Sequence, residues 1–154
     1  MIETPTAVQV PEQAMAMLHL TIPREEIRNV MWPGLQEVLA AVTAQGMSPA
    51  GPWGDHHLKM SPDIFDFEIC VPVSTPIKAA GRVKPGTRPA MKAARTVFHG
   101  NYEDLSEAWE KFDAWVEAQG LQPAEDLWQT WSVGPETSEN PDDWRTELLR
   151  PLKS

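Results

Sequence analysis

The sequence predicts an α+β fold: a strand–helix–strand–strand unit used twice, with antiparallel strands and two long helices on one side. Three observations predict it. Segments of the chain repeat at nearly constant offsets. One segment carries an apolar face at helical spacing, and another alternates apolar and polar residues as a half-buried strand does. The chain has 154 residues, room for one domain or for two small halves sharing a core.

The repeat is read first from the helix ends. Gln45-Gly46-Met47 and Gln119-Gly120-Leu121 lie 74 residues apart, as do Ser48-Pro49-Ala50 and Gln122-Pro123-Ala124. Upstream, Ala14-Met15 matches Ala90-Met91 at an offset of 76, and downstream Phe67–Val73 matches Thr146–Leu152 at 79. Offsets that drift only where loops fall are what a duplicated unit produces. The expected boundaries are a first repeat over about 8–75, a linker over about 76–89 and a second repeat over about 90–153.

Each element follows in order. The first copy opens with a strand near Ala14–Ile22, rich in Ala, Met and Leu. Ile27, Val30 and Met31 form a short apolar cluster before Pro33, which is acceptable at the first position of a helix. Leu35, Val38, Leu39 and Val42 then give one helical face, stopped by Gly46. Strands are expected at Trp53–Met60 and Phe65–Val73, where Phe65, Phe67, Ile69 and Val71 alternate with Asp66, Glu68 and Cys70. Ser74–Pro89, interrupted by Pro and Gly, reads as the connection between copies.

The second copy is more regular. A strand near Ala90–His99 is broken by Gly100, and Asn101 is placed to cap the helix that follows. Leu105, Ala108, Trp109, Phe112, Trp115 and Val116 make one apolar face, closed by Gly120. Glu103, Asp104 and Glu107 near its start complement the helix dipole. Strands are expected at Leu127–Val133 and Trp144–Leu152. A two-fold duplicate leaves a groove between its equivalent helices, and clefts of that kind are common ligand sites.

Composition excludes several functions. No apolar run approaches the ~20 residues of a membrane helix. The first ten residues lack the basic start and apolar stretch of a secretory signal. With 13 Lys+Arg against 22 Asp+Glu, the net charge of −9 argues against direct nucleic-acid binding. The single Cys70 cannot form an internal disulfide, which points to a reducing cytoplasm. His56 and His57 are neighbours on an expected strand and point to opposite faces, so they cannot chelate one metal ion together. No cofactor motif is present. Glu68 and Glu147, equivalent by repeat, are expected to serve structure, through hydrogen bonds to neighbouring backbone.

Five stretches in order carry a resemblance. They are Gly46–Pro52; Phe65–Val73; His99-Gly100-Asn101-Tyr102; Gly120-Leu121 before Trp128-Gln129-Thr130-Trp131; and Trp144-Arg145-Thr146-Glu147 before Pro151-Leu152. From about Val8 to Leu152 the chain resembles the GyrI-like small-molecule-binding family, the bacterial transcription-activator effector-binding domain. The resemblance implies the duplicated fold with a ligand groove between the repeats. Family members sit behind DNA-binding domains in regulators or stand alone; some are linked to gyrase inhibition, and some hydrolyse cyclopropane-bearing DNA-alkylating toxins. Many place a glutamate two residues before a tyrosine on the strand after the second helix.

Here those positions hold Gln129 and Trp131. The change removes a countercharge for cations and an evident general base, while the amide still donates and accepts hydrogen bonds. The offset of 74 maps Gln129 onto Asp55 and Trp131 onto His57, so the first copy is expected to hold the carboxylate. Asp55 and His57, two apart on one strand, form a candidate ligand-fixing or acid–base pair, with a solvated turn as the alternative. Trp109 and Trp115 are six residues apart, roughly 120° out of line on a helix, so one can pack centrally while the other borders the groove. Trp109 is the pocket candidate, with Trp131 as its partner wall; an entirely buried aromatic cluster is the alternative, and Tyr102 at the strand-to-helix turn either lends its hydroxyl to the groove or anchors the turn.

The expected function is binding of a small, flat, partly apolar ligand, to sense or sequester it in regulation or toxin resistance. Two alternatives stay open. One is hydrolysis of a reactive small molecule, with Asp55 or His57 activating water. The other is binding of a topoisomerase or a separate regulator through the acidic surface.

Overall fold

The computed structural model describes residues 1–135 and 137–153. The elements, in chain order, are β1 (Thr6–Val10), β2 (Gln13–Pro23), α1 (Ile27–Ala44), β3 (Gly54–Met60) and β4 (Ile64–Pro72), followed by β5 (Val83–Arg88), β6 (Met91–His99), α2 (Leu105–Ala118), β7 (Leu127–Val133) and β8 (Arg145–Pro151). The fold is mixed α+β, with antiparallel strand pairs and two long helices. Two compact units divide the chain: a first unit, Pro11–Ala90, and a second unit, Met1–Val10 with the chain from Met91 onward.

In the first unit the strand order is β5-β2-β4-β3. Helix α1 buries Leu35, Val38, Ala41 and Val42 against Ala16, Leu18, Phe67, Ile69 and Val71 of the sheet. Gly34 makes that approach possible, because a Cβ there would lie 2.4 Å from Ile69 Cδ1. The helix starts earlier than the sequence predicts. Ile27, Val30 and Met31 belong to it, and Pro33 lies inside rather than at its start. Pro33 and Asn29 are exposed, so water can satisfy the Asn29 carbonyl that loses its helical partner.

The expected linker also differs. Part of it, Val83–Arg88, is strand β5 on the edge of β2, next to β6 in the chain. Pro85 is tolerated there because an edge strand needs hydrogen bonds on one side only. At Gly86 a Cβ would lie 2.4 Å from Met17 Sδ, so a larger residue there would force the Met17 side chain to move.

In the second unit the order is β1-β6-β8-β7. Thr6–Val10, outside every expected strand, is β1 and pairs along β6. Ala108, Phe112 and Val116 of α2 are buried against Ala94, Phe98 and Leu148. Phe112 takes the centre of that face; Trp109 and Trp115 flank it, both partly buried, so neither is the central residue. Asn101 caps as expected, its side chain accepting from the Glu103 N–H across the turn that leads into α2.

Internal geometry coincides in detail. Both helices end in a glycine of positive φ, Gly46 at 75° and Gly120 at 71°. The next N–H reaches back to the helix in each case, Met47 to Val42 and Leu121 to Val116, both at 3.2 Å. Asp55 pairs with Ile69 and Gln129 with Leu148; His57 pairs with Phe67 and Trp131 with Thr146. Each register then shifts at the same point, after His57 and after Trp131. The leading strands differ from expectation. Met15 faces Pro72 and Ala93 faces Pro151, which aligns β2 and β6 at an offset of 78 rather than 76. Two residues preserve the strand face, so the inward set is unchanged. Among the described residues no helix is long and apolar enough to cross a membrane.

Candidate functional site

Strand β7 positions the candidates of the second unit. Gln129 and Trp131 sit opposite Leu148 and Thr146, on the sheet face that α2 covers. The helix supplies Trp109, whose Nε1–H donates to Gln129 Oε1 at 2.8 Å. Its indole tilts against Phe112, with ring centroids 5.6 Å apart, and the Arg150 guanidinium lies 5.1 Å over it. Arg150 is itself fixed, donating to both Asp113 carboxylate oxygens at 3.1 and 2.9 Å and to the Asp126 carbonyl at 3.3 Å.

Tyr102 completes the aromatic group. Its ring stacks on Trp144 at 4.8 Å and meets Trp131 edge-on at 6.4 Å. Trp144 is held by its Nε1–H on the Ser138 carbonyl, 2.9 Å away. Gln129 and Trp131 are only 8% and 9% exposed. Paired with Trp131 is Thr146, fully buried, whose hydroxyl has no hydrogen-bond partner among the described residues. The structure thus joins Trp109 to Gln129 directly, and Trp131 to Tyr102. Sequence reasoning missed Trp144, Thr146 and Arg150; the alternation of β8 gives Arg150 the same face as Leu148, and that was the available signal.

Strand β3 of the first unit carries the other pair. Asp55 and His57 are 3% and 6% exposed, on a strand rather than a solvated turn. The His57 Nε2–H donates to Asp55 Oδ2 at 3.1 Å. The His57 ring stacks on Phe67 at 5.2 Å and meets Phe65 edge-on at 5.0 Å. Arg24 lies 4.5 Å over Phe65, its Nε–H donating to the Ser61 carbonyl at 2.6 Å. The period-2 alternation of β4 already places Phe65 and Phe67 on one face, while Arg24 has no signal in the sequence.

Glu68 and Glu147 lie on the opposite sheet faces. His56 donates through Nδ1 to Glu68 at 2.9 Å, away from His57, as the alternation requires. Arg95 donates to Glu147 at 2.8 Å. Both glutamates therefore meet side chains of adjacent strands, not the backbone groups expected, because a neighbouring strand presents its side chains at the same pleat height. Burial, with Glu68 nearby, pushes the Cys70 thiol well above its ordinary value and disfavours the thiolate. Among the described residues no group of three or more His, Cys, Asp or Glu is placed to hold a metal ion.

Against known families, residues 3–153 match the model of the GyrI-like small molecule binding domain. The chain belongs to the GyrI-like family. No curated protein sequence matches this GyrI-like chain. Among solved structures, the EcmrR C-terminal domain is similar over 98% of both chains, with 20% identity and a TM-score of 0.85. EcmrR in complex with DNA matches equally well, and there the GyrI-like chain spans 57% of the EcmrR chain. SAV2435 bound to tetraphenylphosphonium matches over 99% of this chain and 95% of its own, at 11% identity and a TM-score of 0.67. A hydrolase from Listeria innocua matches over 97% and 91%, at 12% identity and 0.65. At these identities the likeness concerns the fold.

Proposed function

We propose that this GyrI-like domain binds a flat, partly apolar and uncharged small molecule against Trp109, Gln129, Trp131 and Tyr102. Binding would sense or sequester the compound, in a regulator or a resistance system of the cytoplasm. The observation that carries this reading is the Trp109–Gln129 hydrogen bond. It fixes an indole and a neutral amide together, at the place where the family resemblance leads one to expect a carboxylate. Aromatic faces bind flat apolar ligands, and a neutral amide gives direction without a countercharge. The Thr146 hydroxyl, without a hydrogen-bond partner among the described residues, adds a polar point within the same group. The fold likeness to SAV2435, a protein bound to tetraphenylphosphonium, supports a site for an aromatic ligand.

The test uses the seven tryptophans as reporters. Acridone, flat and neutral, is expected to quench emission and raise Tm, and tetraphenylphosphonium to do so far less. Gln129→Glu should reverse that order by restoring a carboxylate. Equal or stronger binding of the cation by the unaltered chain overturns the reading.

A further inference from the structure

The first unit holds a buried hydrogen-bond acceptor that has no partner among the described residues. Asp55 Oδ2 accepts from the His57 Nε2–H, and a carboxylate in that position selects the tautomer protonated on Nε2. The lone pair of the ring is then on Nδ1. That atom is buried and has no hydrogen-bond partner among the described residues, although His57 is only 6% exposed. Desolvating an acceptor without replacing its hydrogen bond is unfavourable, and native structures rarely leave one so. The ring is also held in place: Phe67 lies parallel at 5.2 Å, Phe65 stands edge-on at 5.0 Å, and Asp55 anchors the far nitrogen.

A purely structural role explains these features poorly. The positions around the pair on the helix-covered face are Phe65, Phe67 and Ile69, and an apolar residue at 57 would pack there without an unmet acceptor. An aspartate–histidine pair costs stability in such surroundings unless something else uses it. What uses it must bring a hydrogen-bond donor. It must also tolerate a carboxylate two residues away, which disfavours anions and acceptor-only ligands.

We infer that His57 Nδ1 is a ligand-recognition atom, accepting from an O–H or N–H of a flat aromatic compound, with Asp55 as the positioning residue that fixes its tautomer. The inference rests on the small-molecule reading above as a property of the domain and concerns the first unit alone, to which it gives a preference for donor-bearing aromatics such as phenols and N–H heterocycles. A site built to hydrogen-bond a donor discriminates against the analogue lacking it, because its own polar atom is then left unpaired.

The experiment compares 2-naphthol with 2-methoxynaphthalene, which differ by the donor alone, by Trp fluorescence and by calorimetry. The unaltered chain is expected to bind 2-naphthol at least about tenfold more tightly. In His57→Phe, with folding checked by circular dichroism, the two probes should fall within about twofold. A second measurement needs no variant. Long-range proton–nitrogen spectra of the histidine-labelled chain should show His57 protonated on Nε2, and its Nδ1 resonance should move with 2-naphthol and not with the ether. Equal affinity of the two probes, or a stationary Nδ1 resonance at saturation, overturns the inference while sparing the small-molecule reading. Binding of neither probe counts against both.

Discussion

Strands β3 and β7 have the same register against their neighbours, shift at the same point and follow helices that end in the same way, yet their inward positions hold opposite chemistry. At the two paired positions β3 carries Asp55 and His57, an acid–base pair beside phenylalanines. The second strand carries Gln129 and Trp131, a neutral amide and an indole beside Trp109 and Tyr102. The outer faces repeat the contrast. Glu68 is met from β3 by His56, whereas the corresponding Glu147 is met from β6 by Arg95. Backbone hydrogen bonding fixes where a side chain stands and which way it faces; it leaves the chemistry at that point free. The same scaffold can therefore be polar in one unit and aromatic in the other without a change of geometry.

Mutations in the two units test how far the likeness extends. The largest effects are expected in the two cores, where Phe67→Ala in the first unit and Phe112→Ala in the second should each cost about 3–5 kcal/mol. Both are fully buried, so urea midpoints should fall alike; a cost below about 1 kcal/mol for either would show that one helix face is loosely packed. The next effect breaks the symmetry. Gly34→Ala should destabilise by about 1–3 kcal/mol through overpacking on Ile69. The matching position of α2 is Ala108, where Ala108→Gly should cost about 1 kcal/mol through helix propensity and lost packing. Urea titrations of both variants check the pair, and a neutral Gly34→Ala would mean that the close approach of α1 is not needed.

The smallest effect is expected on the outer face of the first unit, where His19 hydrogen-bonds Asp66. That bond holds the Asp66 carboxyl below its ordinary value. Stability from the depressed carboxyl is present above the ordinary aspartate value and is lost as pH falls through the lowered one. Both side chains are well exposed, so His19→Gln should cost about 1 kcal/mol or less near neutral pH. The matching residues of the second unit are Val97 and Arg145, which cannot form such a pair, so its pH response should lack this contribution. Melting curves from about pH 3 to 7 for the unaltered chain and for the His19→Gln variant are expected to converge at the acid end. A constant gap would assign the loss to packing.

Much of the fold was legible because it is local. Helix faces, glycine stops and the alternation of β4 follow from spacing along a few turns or one strand, and each was readable in residues such as Phe112, Gly120 and Ile69. Two strands were not, β1 and β5. Each lies on a sheet edge, short and interrupted or bounded by proline, and has little pattern of its own; each becomes a strand because β6 or β2 offers it an unpaired row of hydrogen-bonding groups. The early start of α1 escaped for a related reason. A proline is read as a boundary, and only exposure of the freed carbonyl shows that the helix can continue past it.

The candidate site divides in the same way. Sequence alone determined that Gln129 and Trp131, like Asp55 and His57, share a strand face, because side chains alternate with period two wherever the backbone is extended. It also determined that no carboxylate stands at Gln129. Only the tertiary structure decided that Trp109 donates to Gln129, that Trp144 stacks on Tyr102, and that His57 is buried with one nitrogen engaged and the other open. Such contacts depend on which elements are brought within about 3–6 Å across long stretches of chain. Periodicity fixes the direction of a side chain; the packing of helix on sheet fixes what it meets.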